Sequence, residues 1–349
     1  MKGKHTLITV ATVMVLLMTG MIISSCTKEG PEGKPGLDGI DGKDGAESCS
    51  SCHNFSEILL AKISQYQNSV HAKGATLDHN NQGCGHCHTS MGFRNFLSDG
   101  TIATVNNPTP INCRTCHPIH ESYTLNDYGL RTSVPVNLLL GEGQYDYGNS
   151  NLCANCHQAH DLNPYPVAGG DSLTIASKYY GPHHAPHVNM LIGKGAYPIP
   201  GSMAYSNSPH TRDVKSGCVT CHMSDATGNW AGGHQMNIKY KNSSGTTVYQ
   251  YTGCLSSGCH ETTAEVTAKI NPNRAEIQGL LSELKTKLLE KNLMDADGYI
   301  RPNKKMSQMD LACFINYKFV SEDNSYGAHN YRFTKALLVN TLEYINPPR

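Results

Sequence analysis

The sequence predicts a mainly α-helical protein with low regular secondary structure and a group of helices at its C-terminal end. Three observations support this fold class. Twelve of the fourteen cysteines recur in short motifs between Ala46 and Glu261. The chain has one tryptophan and six phenylalanines, and that segment is rich in Gly, Asn, Ser and Pro, a composition that favours loops. After residue 262, apolar residues recur at helical spacing.

The first 25 residues have the features of a lipoprotein signal peptide. Lys2 and Lys4 precede an apolar run from Leu7 to Ile23, as is typical of a secretory signal. The run ends in Ser24-Ser25-Cys26, which resembles a bacterial lipobox and predicts lipidation of Cys26. An uncleaved membrane anchor is the alternative, because the run is close to the length of a membrane span. We expect an outer membrane lipoprotein that faces the periplasm or the cell surface.

Residues 26–46 are predicted to form a collagen-like tether. Glycine recurs every third residue through five Gly-x-y triplets and a sixth glycine. This repeat is too short for a stable triple helix alone, and only Pro31 and Pro35 favour the polyproline conformation. A trimerising collagen stem is the alternative. As a solvated chain, the segment from Cys26 to Cys49 could extend about 70 Å and let the following domain stand off a membrane.

Six cysteine motifs, numbered 1 to 6 in chain order, divide residues 47–261. Five have the form Cys-x-x-Cys-His, and the sixth has four residues between its cysteines. Two thiols at this spacing add to the vinyl groups of one haem, and the adjacent histidine becomes the proximal iron ligand. The sequence therefore predicts six haems of the c type. Their attachment residues are Cys49, Cys52 and His53; Cys84, Cys87 and His88; Cys113, Cys116 and His117; Cys153, Cys156 and His157; Cys218, Cys221 and His222; and Cys254, Cys259 and His260.

The haems are expected to supply the buried apolar mass that residues 47–261 lack. A segment with so few large apolar side chains cannot build an ordinary core, so haem attachment should drive its folding. The formal charge of zero, from 28 basic and 28 acidic residues, leaves out the two propionates of each haem. The holoprotein should therefore be acidic. No basic stripe indicates nucleic acid as a partner.

Residues 262–349 are predicted to form a helical region that packs on the haem domain. A sequence similar to a capping box, Asn273-x-x-Glu276, predicts a helix start. The apolar residues that follow at helical spacing are Ile277, Leu280, Leu281, Leu284 and Leu288. Further helices are predicted over 307–320 and 330–345. Cys313, which neither the motifs nor the lipobox uses, is expected to be a buried, inert thiol.

The sixth ligand of each iron separates an electron carrier from an enzyme. A haem with protein ligands on both faces passes electrons, whereas an open face can bind substrate. Of the 18 histidines, six follow haem cysteines and His5 lies in the signal peptide. Eleven histidines therefore remain for six distal positions.

Several stretches resemble multihaem cytochromes c, the broad group that includes cytochrome c nitrite reductases, hydroxylamine oxidoreductases and their electron-transfer relatives. They are QNSVHAKG, CRTCHPIHESY, GPHHAPHVNML, YSNSPH, CVTCHMSDATGNWAGGH and SEDNSYGAHNYRFTKALL. The resemblance covers roughly residues 47–344, through short motifs. It implies distal haem ligation by His71, His120, either His183 or His184, His210, His234 and His329.

Departures from the enzymes of this group favour electron transfer. Nitrite reductases carry Cys-x-x-Cys-Lys at the active haem, whereas histidine follows every haem cysteine pair here. Hydroxylamine oxidoreductases carry more haems and a tyrosine crosslink, for which the sequence has no specific sign. Other side chains that could ligate iron, but are less favoured, are His79, His86, His160, His187, Met203 and Met223.

The sequence therefore predicts a lipid-anchored carrier of single electrons with six mainly bis-histidine haems. Its expected partners are redox proteins or an extracellular electron acceptor, and a membrane through the lipid. One alternative is a reductase of a small nitrogen or sulfur oxyanion at an open haem near His183, His184 and His187. A subunit of a haem filament is another. The predicted divisions are a signal peptide (1–25), a tether (26–46), a haem domain (47–261) and a helical region (262–349).

Overall fold

The computed structural model describes residues 52–53, 56–74, 77–256 and 258–346. The predicted signal peptide and tether, including Cys26, lie outside these residues, as does Cys49 of motif 1. Among the helices that are described, none combines the length and the apolar character needed to cross a bilayer.

Helices make up most of the regular structure. In chain order they are α1 (Glu57–Gln67), α2 (Val70–Lys73), α3 (Gly85–His88), α4 (Ser90–Asp99), α5 (Cys113–Cys116), α6 (Asn151–Ala154), α7 (His187–Ile192), α8 (Pro209–Asp213), α9 (Gly217–His222), α10 (Thr252–Ser256), α11 (Thr263–Glu290), α12 (Gln308–Asp323) and α13 (Tyr331–Ile345). Short 3-10 helices span Leu125–Tyr128, Gly148–Ser150 and Gly233–Gln235.

Strands are two or three residues long and pair two at a time. Their bounds are β1 (Val136–Asn137), β2 (Gln144–Tyr145), β3 (Leu173–Thr174), β4 (Lys239–Lys241), β5 (Thr247–Tyr249) and β6 (Lys305–Met306). All three pairs, β1 with β2, β3 with β6 and β4 with β5, are antiparallel. The prediction of a mainly α-helical fold is therefore confirmed, while the packing of haems in its core stays a prediction.

Motif 3 folds as a single helical turn. In α5, Cys113 and Cys116 begin and end the turn, which Asn112 starts by accepting a hydrogen bond from the backbone N–H of Arg114. Thr115 accepts in return from the backbone N–H of Asn112 at 2.9 Å. Residues three apart on a helix share one face. The spacing of two intervening residues therefore presents both thiols on the same side of the turn.

An ordinary side-chain core lies mainly at the C-terminal end. Ile277, Leu284 and Leu288 of α11 are fully buried, as the helical spacing predicted. They belong to one cluster with side chains of α12 and α13, such as Phe314 and Leu337. Cys313 of α12 is also fully buried, and burial raises the pKa of its thiol. An uncharged buried thiol is unreactive, so the prediction for Cys313 is confirmed.

The first long helix starts earlier than its sequence suggested. The prediction of a start at Asn273 was wrong, because α11 begins at Thr263, where the side chain of Thr262 accepts a hydrogen bond from the backbone N–H of Glu265 at 3.1 Å. Pro272 lies inside this helix. Proline costs a backbone donor in a helix interior, and here the helix continues through it. The predicted starts of the next two helices are confirmed, since Ser307 caps α12 and Asn330 caps α13.

Buried asparagines fasten the preceding loops to the C-terminal helices. The amide of Asn316 donates to the carbonyl of Tyr197 at 2.8 Å and accepts from its backbone N–H at 2.9 Å. Asn340 binds both backbone groups of Met203 in the same way, at 2.9 and 3.0 Å. Side chains that satisfy buried backbone groups fix a loop firmly. These contacts hold residues 197–203 against α12 and α13.

Candidate haem sites

A cavity of about 1700 Å³ lies among the cysteine motifs. It exceeds the roughly 300–1,000 Å³ of a typical small-molecule pocket. Thiols and imidazoles of motifs 1 to 4 line it, namely Cys52, His53, Cys87, His88, Cys113, Cys116, His117, Cys153, Cys156 and His157. The space and the donor groups together fit several haems.

Five of the histidines that follow cysteine pairs lie beside a histidine remote in sequence. The ring centres are separated by 5.8 Å for His53 and His120, 6.0 Å for His88 and His183, 6.2 Å for His117 and His234, 5.9 Å for His157 and His71, and 6.4 Å for His222 and His329. Two imidazoles that bind one metal ion through nitrogen at about 2 Å have ring centres about 6 Å apart. The spacing of these five histidine pairs therefore fits an iron between the rings.

The second ring nitrogen of several attached histidines faces a hydrogen-bond acceptor. Nδ1 of His117 lies 2.8 Å from the carbonyl oxygen of Gly129, and Nδ1 of His222 lies 2.9 Å from that of Met236. A carbonyl accepts only from a protonated nitrogen, so this contact places the proton on Nδ1. Metal-binding histidines use such a bond to fix the ring and leave Nε2 for the metal. The backbone carbonyls carried no sequence signal for this role.

His157 makes the corresponding contact with another histidine. Its Nδ1 lies 3.2 Å from Nδ1 of His187. Burial, followed by the charge of His187, lowers the pKa of His157 well below its usual value, and burial lowers the pKa of His187 to about 4. The sequence did not favour His187 as an iron ligand, and the structure places it where it orients one.

The structure separates the adjacent His183 and His184. Both residues are exposed. The ring of His183 lies 6.0 Å from that of His88, whereas Nδ1 of His184 lies 2.7 Å from a carboxylate oxygen of Glu322. The geometry therefore favours His183 as the ligand of the haem at motif 2.

The remaining predicted ligand lies apart from the attached histidines. His210 is exposed at the start of α8, and its Nδ1 lies 3.0 Å from the carbonyl oxygen of Ala328. Within the described part of the chain, no ring contact joins it to another histidine. Nδ1 of His260, in motif 6, lies 3.5 Å from a carboxylate oxygen of Glu265. The structure thus does not bring these two predicted ligands together.

The side chains that the sequence favoured less as iron ligands are not members of the five histidine pairs. The ring of His79 lies 5.2 Å from that of His88, with half of its side chain exposed. His160 lies 4.5 Å from His183, and His86 contacts Phe96. The backbone N–H of Met203 donates to the side chain of Asn340. Met223 lines the large cavity.

The chain resembles one solved cytochrome in its fold. No family model and no curated protein matches the sequence. The crystal structure of the outer cell wall cytochrome OcwA matches with a TM-score of 0.53 and 21% sequence identity. The match covers 82% of this chain and 50% of that chain, so this chain spans about half of the cytochrome's length. The likeness shows that this chain shares part of the fold of that protein. Membership of the multihaem cytochromes c, and the relation to nitrite and hydroxylamine enzymes, stay predictions.

Proposed function

We propose that this chain is a membrane-anchored carrier of single electrons outside the cytoplasm, with six covalently attached c-type haems of which most are bound by two histidines. The observation that carries the proposal is the set of five histidine pairs, each with ring centres 5.8–6.4 Å apart. In every pair, one member follows a cysteine pair and the other is far away in the chain. An iron held by both rings has no open face for a substrate.

Neutral imidazoles in buried surroundings support this ligation. Only an unprotonated nitrogen can bind a metal ion. Burial lowers the pKa of His71 and His222, and that of His157 most strongly. Two of the five pairs, His71 with His157 and His222 with His329, therefore contain a ring that is held uncharged at neutral pH and is ready to bind iron.

Contacts between the motifs support transfer from haem to haem. The hydroxyl of Tyr128, beyond motif 3, donates to the carbonyl of Cys52 in motif 1 at 2.9 Å. The thiol of Cys87 in motif 2 lies 3.9 Å from the carbonyl of Asn155 inside motif 4. Haems attached to motifs in contact are near neighbours, and electron transfer is fast over short distances.

The haem supplies the one-electron chemistry when it is bound, and the chain supplies spacing, axial ligands and local charge. Thioether bonds at the cysteine pairs would hold each porphyrin against its motif. Hydrogen bonds to Gly129 and Met236 would fix the rings of His117 and His222. Such bonds are one means by which a protein sets a haem potential.

The location outside the cytoplasm is proposed from two observations. The first 26 residues predict a lipoprotein signal and a lipid on Cys26. The structural neighbour is described as an outer cell wall cytochrome. We propose a redox protein or an extracellular electron acceptor as the partner, reached by a domain that stands off the membrane on the 26–46 tether.

One observation favours the alternative of an oxyanion reductase. A cavity of about 520 Å³ beside His183 and His184 is lined by Tyr179, Tyr180 and Lys318, among others. Lys318, however, forms an ion pair with Glu322, so its charge is already neutralised. His183 also lies at ligand spacing from His88. We therefore retain electron transfer as the better-supported function.

A spectroelectrochemical titration of the purified holoprotein tests the proposal. We expect complete, reversible uptake of one electron per haem, and rapid reoxidation of the reduced protein by a soluble ferric chelate. The reduced protein should consume neither nitrite nor hydroxylamine over the same time. Sustained turnover of either nitrogen compound would support the reductase instead.

A further inference from the structure

Motif 6 differs from the other motifs in its surroundings. Cys259 is exposed, and the spacing to Cys254 is two residues longer than in motifs 1 to 5. Among the described residues that line the large cavity, none belongs to this motif. The motif still has the parts needed for attachment, because α10 carries Cys254 and packs on α9 of motif 5. A haem attached here would lie at the edge of the set of six proposed haems.

His260 lacks the second imidazole that the other attached histidines have. In the described ranges, which include every histidine except His5, no aromatic ring makes contact with His260. The expected ligand His210 is held elsewhere, because the backbone N–H of the preceding Ser208 donates to Asn330 at 2.8 Å. Thr211, on the other side, bonds to Leu191. Ser208, two residues before His210, is therefore held at the start of α13, and Thr211, directly after His210, is held to α7.

Nδ1 of His260 faces a carboxylate, whereas Nδ1 of His117 and of His222 contacts a backbone carbonyl. Glu265 lies in the first turn of α11, 3.5 Å from His260. The backbone N–H of Glu261 and the ammonium of Lys269 donate to it at 3.1 and 2.9 Å. These two bonds hold the carboxylate of Glu265 in place beside His260. A carboxylate at this position raises the basicity of a metal-binding histidine.

We propose that the haem of motif 6 has an exchangeable sixth position that binds small neutral molecules such as carbon monoxide or nitric oxide, and that Glu265 is the positioning residue that makes His260 an electron-rich ligand. Carbon monoxide would replace water on ferrous iron without a change in oxidation state. Together, Glu261 and Glu265 outweigh the charge of Lys269, which disfavours an anionic ligand. This inference rests on the proposed attachment of six haems.

Binding of carbon monoxide to the reduced holoprotein tests the proposal. A pyridine haemochrome assay on the same sample counts the haems. We expect six haems and one bound carbon monoxide per chain. Fewer than six haems would contradict the proposed haem count, which is a separate failure. Six haems without carbon monoxide binding would overturn the open sixth position.

Two variants locate the binding site. Loss of the motif 6 haem in Cys254→Ala/Cys259→Ala should leave five haems and abolish carbon monoxide binding. His210→Ala should leave six haems and one bound carbon monoxide, because His210 is not an iron ligand. Binding that persists in the double variant would place the open haem elsewhere. Binding of additional carbon monoxide by His210→Ala would show that His210 is an iron ligand. This result would also overturn the proposal that the motif 6 haem has an exchangeable sixth position.

A single substitution tests the proposal if the double variant does not acquire its haems and fold. Glu265→Gln retains the side-chain shape but removes its charge. We expect the C–O stretching frequency of the bound ligand to rise, because a less basic His260 donates less electron density through iron. Glu283→Gln, which neutralises an exposed carboxylate farther along α11, is the control and should leave the frequency unchanged. An unchanged frequency in Glu265→Gln would overturn the role of Glu265.

Discussion

Gly253 and Cys221 bring motifs 5 and 6 into backbone contact. A β-carbon on Gly253 would lie 2.7 Å from the Cα of Cys221 and still closer to the carbonyl oxygen of Thr220. Gly253 is buried, and α10 and α9 pack at this point. Because no side chain fits between these backbones, glycine sets the separation of the two motifs and, in the proposed holoprotein, of their haems.

Gly253→Ala should therefore destabilise the holoprotein. The added methyl group must push α10 and α9 apart, and overpacking of this kind costs about 1–3 kcal/mol. A lower denaturant midpoint, followed by haem absorbance, would show the effect. Gly279→Ala is the matched control, since a β-carbon there meets nothing within 4 Å and alanine favours a helix by about 1 kcal/mol. Equal midpoints for both variants would contradict the close packing.

Removal of one proposed distal ligand should open one haem. His234→Ala leaves His117 as the ligand of the haem at motif 3, so one low-spin EPR signal should be replaced by a high-spin signal at unchanged haem count. His184→Ala is the control, because the exposed His184 pairs with Glu322. A spectrum of His234→Ala identical to that of the unaltered protein would contradict this ligand assignment.

The angles between paired rings predict two classes of low-spin signal. The planes cross at 74° for His71 and His157 and at 77° for His88 and His183. The angles of the other three pairs are 26°, 33° and 45°. Nearly perpendicular ligand planes produce strongly axial low-spin signals, whereas more parallel planes produce rhombic ones. We expect two axial haems and three rhombic haems, and five equivalent signals would contradict the geometry.

Asp323 should lower the potential of the haem at motif 5. Its buried carboxylate lies 2.6 Å from Nδ1 of His329. Although burial lowers the pKa of His329, this carboxylate raises it above its usual value. A negative charge behind an iron ligand favours ferric iron, so Asp323→Asn should raise the reduction potential of this haem. The corresponding change in the free energy of reduction is on the order of 1 kcal/mol, the scale of one hydrogen bond. Glu322→Gln is the control and should not shift the reduction potential of that haem in a redox titration. Equal shifts in both variants would contradict the role of Asp323.

The ion pair between α11 and α13 should give the fold a pH-dependent contribution. Nζ of Lys335 lies 2.6 Å from Glu276, which also accepts from the hydroxyl of Tyr331. These two donors lower the pKa of Glu276. A carboxyl whose folded pKa is lowered stabilises the fold above its unfolded pKa of about 4.3, and this stability is lost as the pH falls through the folded value.

Glu276→Gln should therefore lower the unfolding free energy at pH 7 by about 0.2–1 kcal/mol, the usual range for an exposed ion pair. The difference should disappear at a pH below the folded pKa of Glu276, where its carboxyl is protonated in the folded and unfolded chains alike. Denaturant unfolding at both pH values measures it. Glu283→Gln, on an exposed position of the same helix, is the control. A loss that is the same at both pH values would exclude the ion pair as its cause.

The sequence predicted the attachment motifs because each is a local pattern, and local sequence also predicted the helices over 307–320 and 330–345. The sequence did not predict which histidines lie beside each other. His71 and His157 meet through tertiary packing of segments 86 residues apart, and no local spacing encodes that contact. The hydrogen bonds to Gly129 and Met236 use backbone atoms, which have no sequence signature. Thr262 was overlooked as a cap because Pro272 and Asn273 suggested a later helix start.

The most direct test of the account is EPR spin quantitation of the oxidised holoprotein against its total haem. The five histidine pairs predict five low-spin haems in each chain, and motif 6 predicts one high-spin haem, with six haems in the pyridine haemochrome assay. Fewer than five low-spin haems in a chain that carries all six would contradict the account, because at least one histidine pair would then not hold iron between its rings.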